Sequence, residues 1–224
     1  MLIRHQFIIR VTRTLMAAAM TAGLFCPPAA AQIGTIAADD LEQCRLAESM
    51  AELRLRACTT VIEDNQQIPE VRAEAFLNRG MAKEALGDSA GAISDYSEGL
   101  KLNPKYRLLY HRRGLAYEQQ GDPELAIKDF SQAIQLDPTD SEALVLRGLT
   151  YASQGELQLA LRDYEAALTE TPDDDMVLVL RGEVREELGQ TESARADYRR
   201  ALELNPQNTE AKQGLERLSA TKRD

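Results

Sequence analysis

One interval governs this chain of 224 residues. Arg79-Gly80, Arg113-Gly114, Arg147-Gly148 and Arg181-Gly182 stand 34 residues apart. A second glycine follows in each copy at Gly87, Gly121, Gly155 and Gly189, and then an alanine at Ala92, Ala126, Ala160 and Ala194. Asp95-Tyr96, Asp129-Phe130, Asp163-Tyr164 and Asp197-Tyr198 come next, and Pro104, Pro138, Pro172 and Pro206 close the copies. Self-similarity at a fixed period marks a stacked array, in which each unit buries its apolar face against its neighbours. Composition points the same way. Aromatics are 5%, Trp is absent and the hydrophobic fraction is 44%, so the core must be built largely from Ala and Leu, which favours helices over a sandwich or barrel.

Each unit reads as two helices. In the second copy Asp122-Pro123-Glu124 predicts an N-cap followed by proline in the first turn, where its missing N–H costs nothing. Gly121 just before it suits the left-handed turn that ends the preceding helix. Gly114 and Ala126 are small enough for the paired helices to approach, with Phe130 filling the space beside them. Leu136-Asp137-Pro138 stops the second helix, because a residue before proline avoids the helical region.

These columns closely resemble the tetratricopeptide repeat (TPR) family. Small residues stand at repeat positions 8 and 20, an aromatic at 24, proline at 32, and at 27 Ala133, Ala167 and Ala201, with Gly99 in the first copy. The main departure is position 7, usually apolar in the family and Arg here in every copy. The resemblance implies an all-α solenoid with full units at 73–106, 107–140, 141–174 and 175–208. Residues 209–224 hold a capping helix and tail; Ala211, Leu215 and Leu218 share one face of it, which would shield the last layer of the core.

Upstream, residues 39–72 look like a worn copy. A shift of 34 sets Leu46 under Gly80, Cys58 under Ala92 and Ile62 under Tyr96. Ser49-Met50-Ala51-Glu52 is a capping-box pattern, which argues for a helix break and a hairpin able to bring Cys44 to Cys58. In an oxidising compartment the two would close a loop of about 15 residues, stabilising by roughly 3 kcal/mol. One continuous helix would instead hold the cysteines about 21 Å apart. The export signal described next, and the even cysteine count it leaves, favour the hairpin. Asn65–Pro69 is expected to turn, with Pro69 opening the next helix, and residues 32–38 to be a flexible lead-in.

Residues 1–31 have the layout of a cleaved secretory signal peptide. Arg4, Arg10 and Arg13 precede the apolar run Leu15–Phe25, and Ala29-x-Ala31 stands before Gln32. A retained anchor is the alternative, but those eleven residues reach about 16 Å as a helix, short of a roughly 30 Å hydrocarbon core. Lipidation at Cys26 would want a small residue where Phe25 stands. The expected location is outside the inner membrane, in the periplasm, with membrane contact only through an uncleaved signal.

Removing those residues leaves 36 acids against 23 bases, a charge of −13 that should repel a phosphate backbone, so nucleic acid is not an expected partner. The histidines are His5 and His111 and the cysteines Cys26, Cys44 and Cys58, which leaves almost no material for a metal site or a nucleophile pair. No phosphate loop or base–nucleophile set stands out, so neither catalysis, a cofactor nor a small-molecule substrate is expected. Asp173-Asp174-Asp175 resembles a metal cluster, but it also opens a helix, where acids complement the dipole.

In TPR proteins positions 2, 5, 9 and 12 of the first helix usually line a concave groove. The resemblance therefore implies a partner-binding face of Leu77, Met81, Leu108, His111, Leu115, Val145, Leu149, Met176 and Val179. Arg112 stands near it, and Glu74, Glu84, Glu118, Glu142, Glu183 and Glu186 edge it. The expected partner is a segment of another protein held by those apolar side chains. Packing between repeats, or self-association, would account for the same residues. The local run Lys105, Arg107, His111, Arg112, Arg113 could hold an acidic group of the partner. The family's carboxylate clamp is missing, since Leu77 and Met81 stand where it needs Lys and Asn. Finally, Arg79, Arg113, Arg147 and Arg181 each precede an Asp by 16 residues, at Asp95, Asp129, Asp163 and Asp197. That register suggests an ion-pair ladder, within units or between them.

Overall fold

The second glycine of each unit ends a helix. Gly87, Gly121, Gly155 and Gly189 take φ of 83°, 85°, 81° and 73°, a left-handed conformation that glycine adopts without a Cβ clash. The computed structural model describes residues 35–46 and 50–220, and among them it is entirely helical apart from the turns that join the helices. The signal peptide expected at 1–31 lies outside the described residues. Apart from Thr35, the described residues fall in one contact-dense unit that begins at Ile36.

The order is α1 (Thr35–Leu46), α2 (Ala51–Glu63), α3 (Pro69–Ala85), α4 (Ser89–Leu102), α5 (Arg107–Gln120) and α6 (Pro123–Leu136). It continues through α7 (Ser141–Ser153), α8 (Leu157–Glu170), α9 (Asp175–Glu187) and α10 (Thr191–Leu204) to α11 (Thr209–Ala220). Each helix packs on the next from α2 onward, and α7 and α9 also touch the first helix of the following unit. That is an all-α solenoid, as the repeat implied. The second helices α4, α6, α8 and α10 all stop two residues before a repeat proline. Asp88, Asp140 and Asp174 cap helices by accepting from backbone N–H groups. Asp122 sits at the N-cap of α6 with no such side-chain bond, which departs from the expected cap.

Small and aromatic columns meet across each pair. A Cβ built on Gly80, Gly114, Gly148 or Gly182 would lie 2.3, 2.6, 2.6 or 2.7 Å from the ring of Tyr96, Phe130, Tyr164 or Tyr198. The rings are fully or almost fully buried, so they cannot swing away into solvent. Gly148→Leu is therefore expected to cost about 3 kcal/mol through overpacking, read as a fall in the urea midpoint. An unchanged midpoint would mean that the ring has room to retreat.

At the amino end the hairpin forms, and Cys44 and Cys58 are bonded with their Cα atoms 4.8 Å apart, which removes the continuous-helix alternative. Two expectations change there. Helix α1 begins at Thr35, inside the expected lead-in, and Gln32–Gly34 lie outside the described residues. Met50, with no side-chain cap bond, is the N-cap of α2, and Ser49 is outside the described residues.

The register also slips by one helical turn. Helix α3 has 17 residues against 13 or 14 in α5, α7 and α9, the extra turn being Pro69–Arg72. Arg113 and Arg147 reach hydroxyls 16 residues before them, on Ser97 and Ser131, whereas Arg79 reaches Thr59, 20 residues before it. Cys58, just before Thr59, thus stands where Tyr96 and Phe130 stand before Ser97 and Ser131; neither Ile62 under Tyr96 nor Cys58 under Ala92 is the structural match. The disulfide takes the place of the ring that crosses to a glycine in the later units. At the far end α11 buries Ala211 and Leu218 and turns Lys212, Gln213, Glu216 and Arg217 outward. No described helix is long and apolar enough to cross a membrane.

Candidate interaction face and its ionic core

The Arg column forms paired hydrogen bonds in every unit. Arg79 Nε and Nη2 donate to Asp95 at 2.8 and 2.8 Å, Arg113 to Asp129 at 2.7 and 2.7 Å, and Arg147 to Asp163 at 2.8 and 2.7 Å. Arg181 does the same to Asp197 at 3.1 and 2.7 Å. The third nitrogen, Nη1, of Arg79, Arg113 and Arg147 reaches a hydroxyl of the preceding unit, so each of these guanidinium groups ties its own helix pair and the unit before it. A planar fork with several fixed donors can do both at once, which a lysine could not.

Repeat position 11, which sequence reasoning passed over, completes the ladder. Lys83 and Arg185 add a second cation on Asp95 and Asp197 at the ends of the array. In the middle units the same position holds Tyr117 and Tyr151, whose rings lie 5.9 and 5.8 Å from Arg113 and Arg147. The signal was present in the sequence as a column with cations in the outer copies and tyrosines in the inner two.

Much of the proposed groove is core. Leu77 packs in a cluster with Tyr96, Leu100 and Leu109, and Val145, Leu149 and Val179 are likewise buried. The open-groove placement of these four is corrected accordingly: at position 5, and at Leu149, the side chain is covered by neighbouring helices. Met81, Leu115 and Met176 are half-buried, the first two leaning on core clusters, and Leu108 is 38% exposed. Arg112 is half-buried, and its charge acts on Glu84 of α3 and Glu142 of α7. Arg217 of α11 donates to Glu186 of α9 at 3.0 Å. First helices are thus joined side by side in one layer.

His111 is in the interior, 3% exposed. Its Nε2 lies 2.7 Å from Asp140 Oδ2, and its Nδ1 is 3.5 Å from Glu142 Oε2. Arg107 Nε approaches Asp140 at 3.2 Å and its Nη1 pairs with Asp137. Asp140 also caps α7 through the Ala143 N–H. Burial alone would depress the imidazole pKa, but the hydrogen bonds and charges of Asp140 and Glu142 outweigh it and raise it to about 9. Asp140 is held below the usual carboxylate range, its burial offset by His111, the Ala143 N–H and Arg107. Of the positive run, Arg107, His111 and Arg113 lie on acids of their own chain, Arg107 at the surface, while Lys105 stays exposed.

A raised histidine pKa stabilises the fold fully below its unfolded value near 6.5 and loses that contribution as pH rises through about 9. Wild type is expected to lose about 2 kcal/mol more than His111→Gln between pH 7 and pH 9.5. Parallel profiles for the two proteins in chemical denaturation would sink this account. Asp173, Asp174 and Asp175 turn to separate partners: Arg200, the backbone N–H groups of Met176 and Val177, and the amides of Asn205 and Asn208. Among the described residues no cluster of metal-ligating side chains occurs.

The repeated helix pair, with a small residue under an aromatic and a glycine ending each first helix, defines a helical-repeat protein. A family model described as tetratricopeptide repeat matches residues 77–141, 111–175 and 145–209, together more than half of the sequence. The chain belongs to the TPR family. Its fold is similar to MamA from Desulfovibrio magneticus RS-1, at 20% identity and a TM-score of 0.68, covering 81% of this chain and 99% of that one. YrrB, a TPR protein with an unusual peptide-binding site, aligns at 20% identity and 0.66, covering 80% and 92%. A thermophilic TPR protein of Thermus thermophilus, TTC0263, aligns at 21% and 0.56, covering 82% and 97%. At such identities the likeness concerns the fold alone. Comparison of the whole sequence with curated proteins gives no match.

Proposed function

We propose that this protein is a non-catalytic adaptor, exported to the cell envelope, that binds a segment of another protein along the layer of first helices. The observation that carries the reading is the apolar row left on that layer: Leu108, exposed at 38%, with Met81, Leu115 and Met176 half-buried on α3, α5 and α9. Apolar side chains that reach the surface on one layer of helices are a common mark of a contact surface. TPR proteins are in general interaction scaffolds, and YrrB is one with a peptide-binding site.

Crosslinking in intact cells, followed by mass spectrometry of what co-purifies, tests the binding. Leu108→Glu/Met176→Glu is the control, because both side chains reach the surface and the variant should keep its helical circular dichroism. Partners captured by wild type and lost in the folded control support the reading; an identical catch from both rejects this face. Export is supported by the basic, apolar and small-residue sections of residues 1–31 and by a disulfide between fully buried cysteines. Amino-terminal sequencing of the cellular protein is expected to begin at Gln32. A chain that still begins at Met1 would contradict cleavage.

A further inference from the structure

We infer that the Cys44–Cys58 bond is a redox latch. While it is intact, α1 stays docked on the amino end of the array; its reduction by a dithiol frees α1 and uncovers the apolar cluster beneath, with the later repeats left folded. This goes beyond the adaptor reading and does not depend on any partner.

The later units show that packing does not itself call for a disulfide at this place. Tyr96, Phe130, Tyr164 and Tyr198 fill it with a buried ring that crosses to a glycine, and no covalent bond is involved. Cys58 stands where those rings stand, and its bond to Cys44 closes the first helix pair instead. The same space is thus filled by the one kind of contact that a chemical reaction can open and close.

The noncovalent ties of α1 are weak by comparison. The helix has 12 residues, and isolated helices of about 12–15 are marginal in water. Leu41, half-buried, packs on the cluster of Ala57, Val61, Ile62, Ala75 and Phe76. Arg45 pairs with Glu74 of α3 at the surface, a tie that salt weakens. An array whose units contact only their neighbours can lose one end while the rest stays folded.

Both cysteines are fully buried, so a reductant reaches the sulfurs only once α1 has lifted. A thiolate of the dithiol then attacks one sulfur, the Sγ–Sγ bond breaks, and the second thiol of the reductant resolves the mixed disulfide. Two electrons pass to the protein; Cys44 and Cys58 end as thiols, and the dithiol ends as a disulfide. Docking of α1 therefore sets how fast the bond is reduced, and the bond sets whether α1 stays docked.

The test treats protein purified with the bond intact with excess dithiothreitol. Three quantities are followed: fluorescence of the apolar dye ANS, limited cleavage by trypsin after Arg45, and the thiol content of the peptides that carry Cys44 and Cys58. Reduction is expected to raise the dye signal and open Arg45 to trypsin while residues 69–220 stay intact, and glutathione disulfide should reverse both changes. Cys44→Ala/Cys58→Ala should show the open state with or without reductant. Leu41→Ala, which loosens α1, should speed reduction of the bond about tenfold, whereas Val179→Ala, in the distant α9, should change it less than about twofold. Protection of α1 that survives reduction would make the bond a passive brace. Cleavage throughout 69–220 would mean that it holds the whole fold, and failure to close on reoxidation would mean that it is no latch. Equal acceleration by the two variants would show that the sulfurs are reached by global unfolding. Any of these four results overturns the proposal and leaves the crosslinking outcome to stand by itself.

Discussion

Arg147→Leu is expected to destabilise the protein by about 3 kcal/mol. Asp163 is almost fully buried and receives two of the guanidinium's hydrogen bonds, and the third nitrogen holds Ser131 of the preceding unit at 3.0 Å. Removing the cation leaves a carboxylate in the interior with its strongest partner gone, and cuts one tie between neighbouring repeats. The cost belongs mostly to the stranded charge. Arg147→Leu/Asp163→Leu should recover most of the loss, since an apolar pair of similar volume is often as stable as a buried ion pair. Urea unfolding of the single and double variants measures both effects. A single variant as stable as wild type, or a double variant worse than the single, would show that the ladder does not act through the buried carboxylate.

Loss of the disulfide should have an effect of the same size but confined to one end. Helix α1 is fastened through Cys44, through packing of Leu41 against the first core cluster, and through Arg45, whose Nε and Nη2 donate to Glu74 at 2.8 and 2.5 Å. That ion pair is at the surface and adds little in salt. Cys44→Ala/Cys58→Ala is expected to lose about 3 kcal/mol of protection in α1 and α2, by the loop-closure argument. In an array whose units contact only their neighbours, the later helices should keep theirs. Hydrogen exchange resolved by segment distinguishes the outcomes: rapid exchange at 36–63 with 141–204 unchanged is expected, whereas uniform loss throughout would mean that the chain unfolds as one body.

Most of the architecture was legible because it is written in columns. Each glycine that turns left, each aromatic that crosses to a glycine and each Arg–Asp pair involves residues within one unit, so a fixed spacing is enough to find them. The hairpin was legible for a related reason: two cysteines on neighbouring helices leave a spacing that either bonds or does not. Its register was not. The additional turn Pro69–Arg72 reads in sequence as ordinary helix, and only its packing shows that Cys58 has moved into the aromatic's place.

The interaction face was legible only in outline. Leu77, Val145 and Val179 share repeat position 5 with His111 and are buried with it, while Leu149 is buried at position 9, where Met81 and Leu115 stay half-open; the family positions alone do not mark that division. Their burial depends on how closely the next helix approaches, which is a property of the stacked array. His111 and its neighbours show the same division. Its partners are Asp140, 29 residues on at the close of the same unit, and Glu142, 31 residues on in the next, at positions that do not repeat as a pair, so no column announces them. By itself, then, the sequence determined the unit, its number and the interactions that close each unit, because these recur at one interval. Tertiary structure decided which apolar side chains stay on the surface and which cations are spent internally, because burial and charge pairing are settled between units, where neighbouring helices meet.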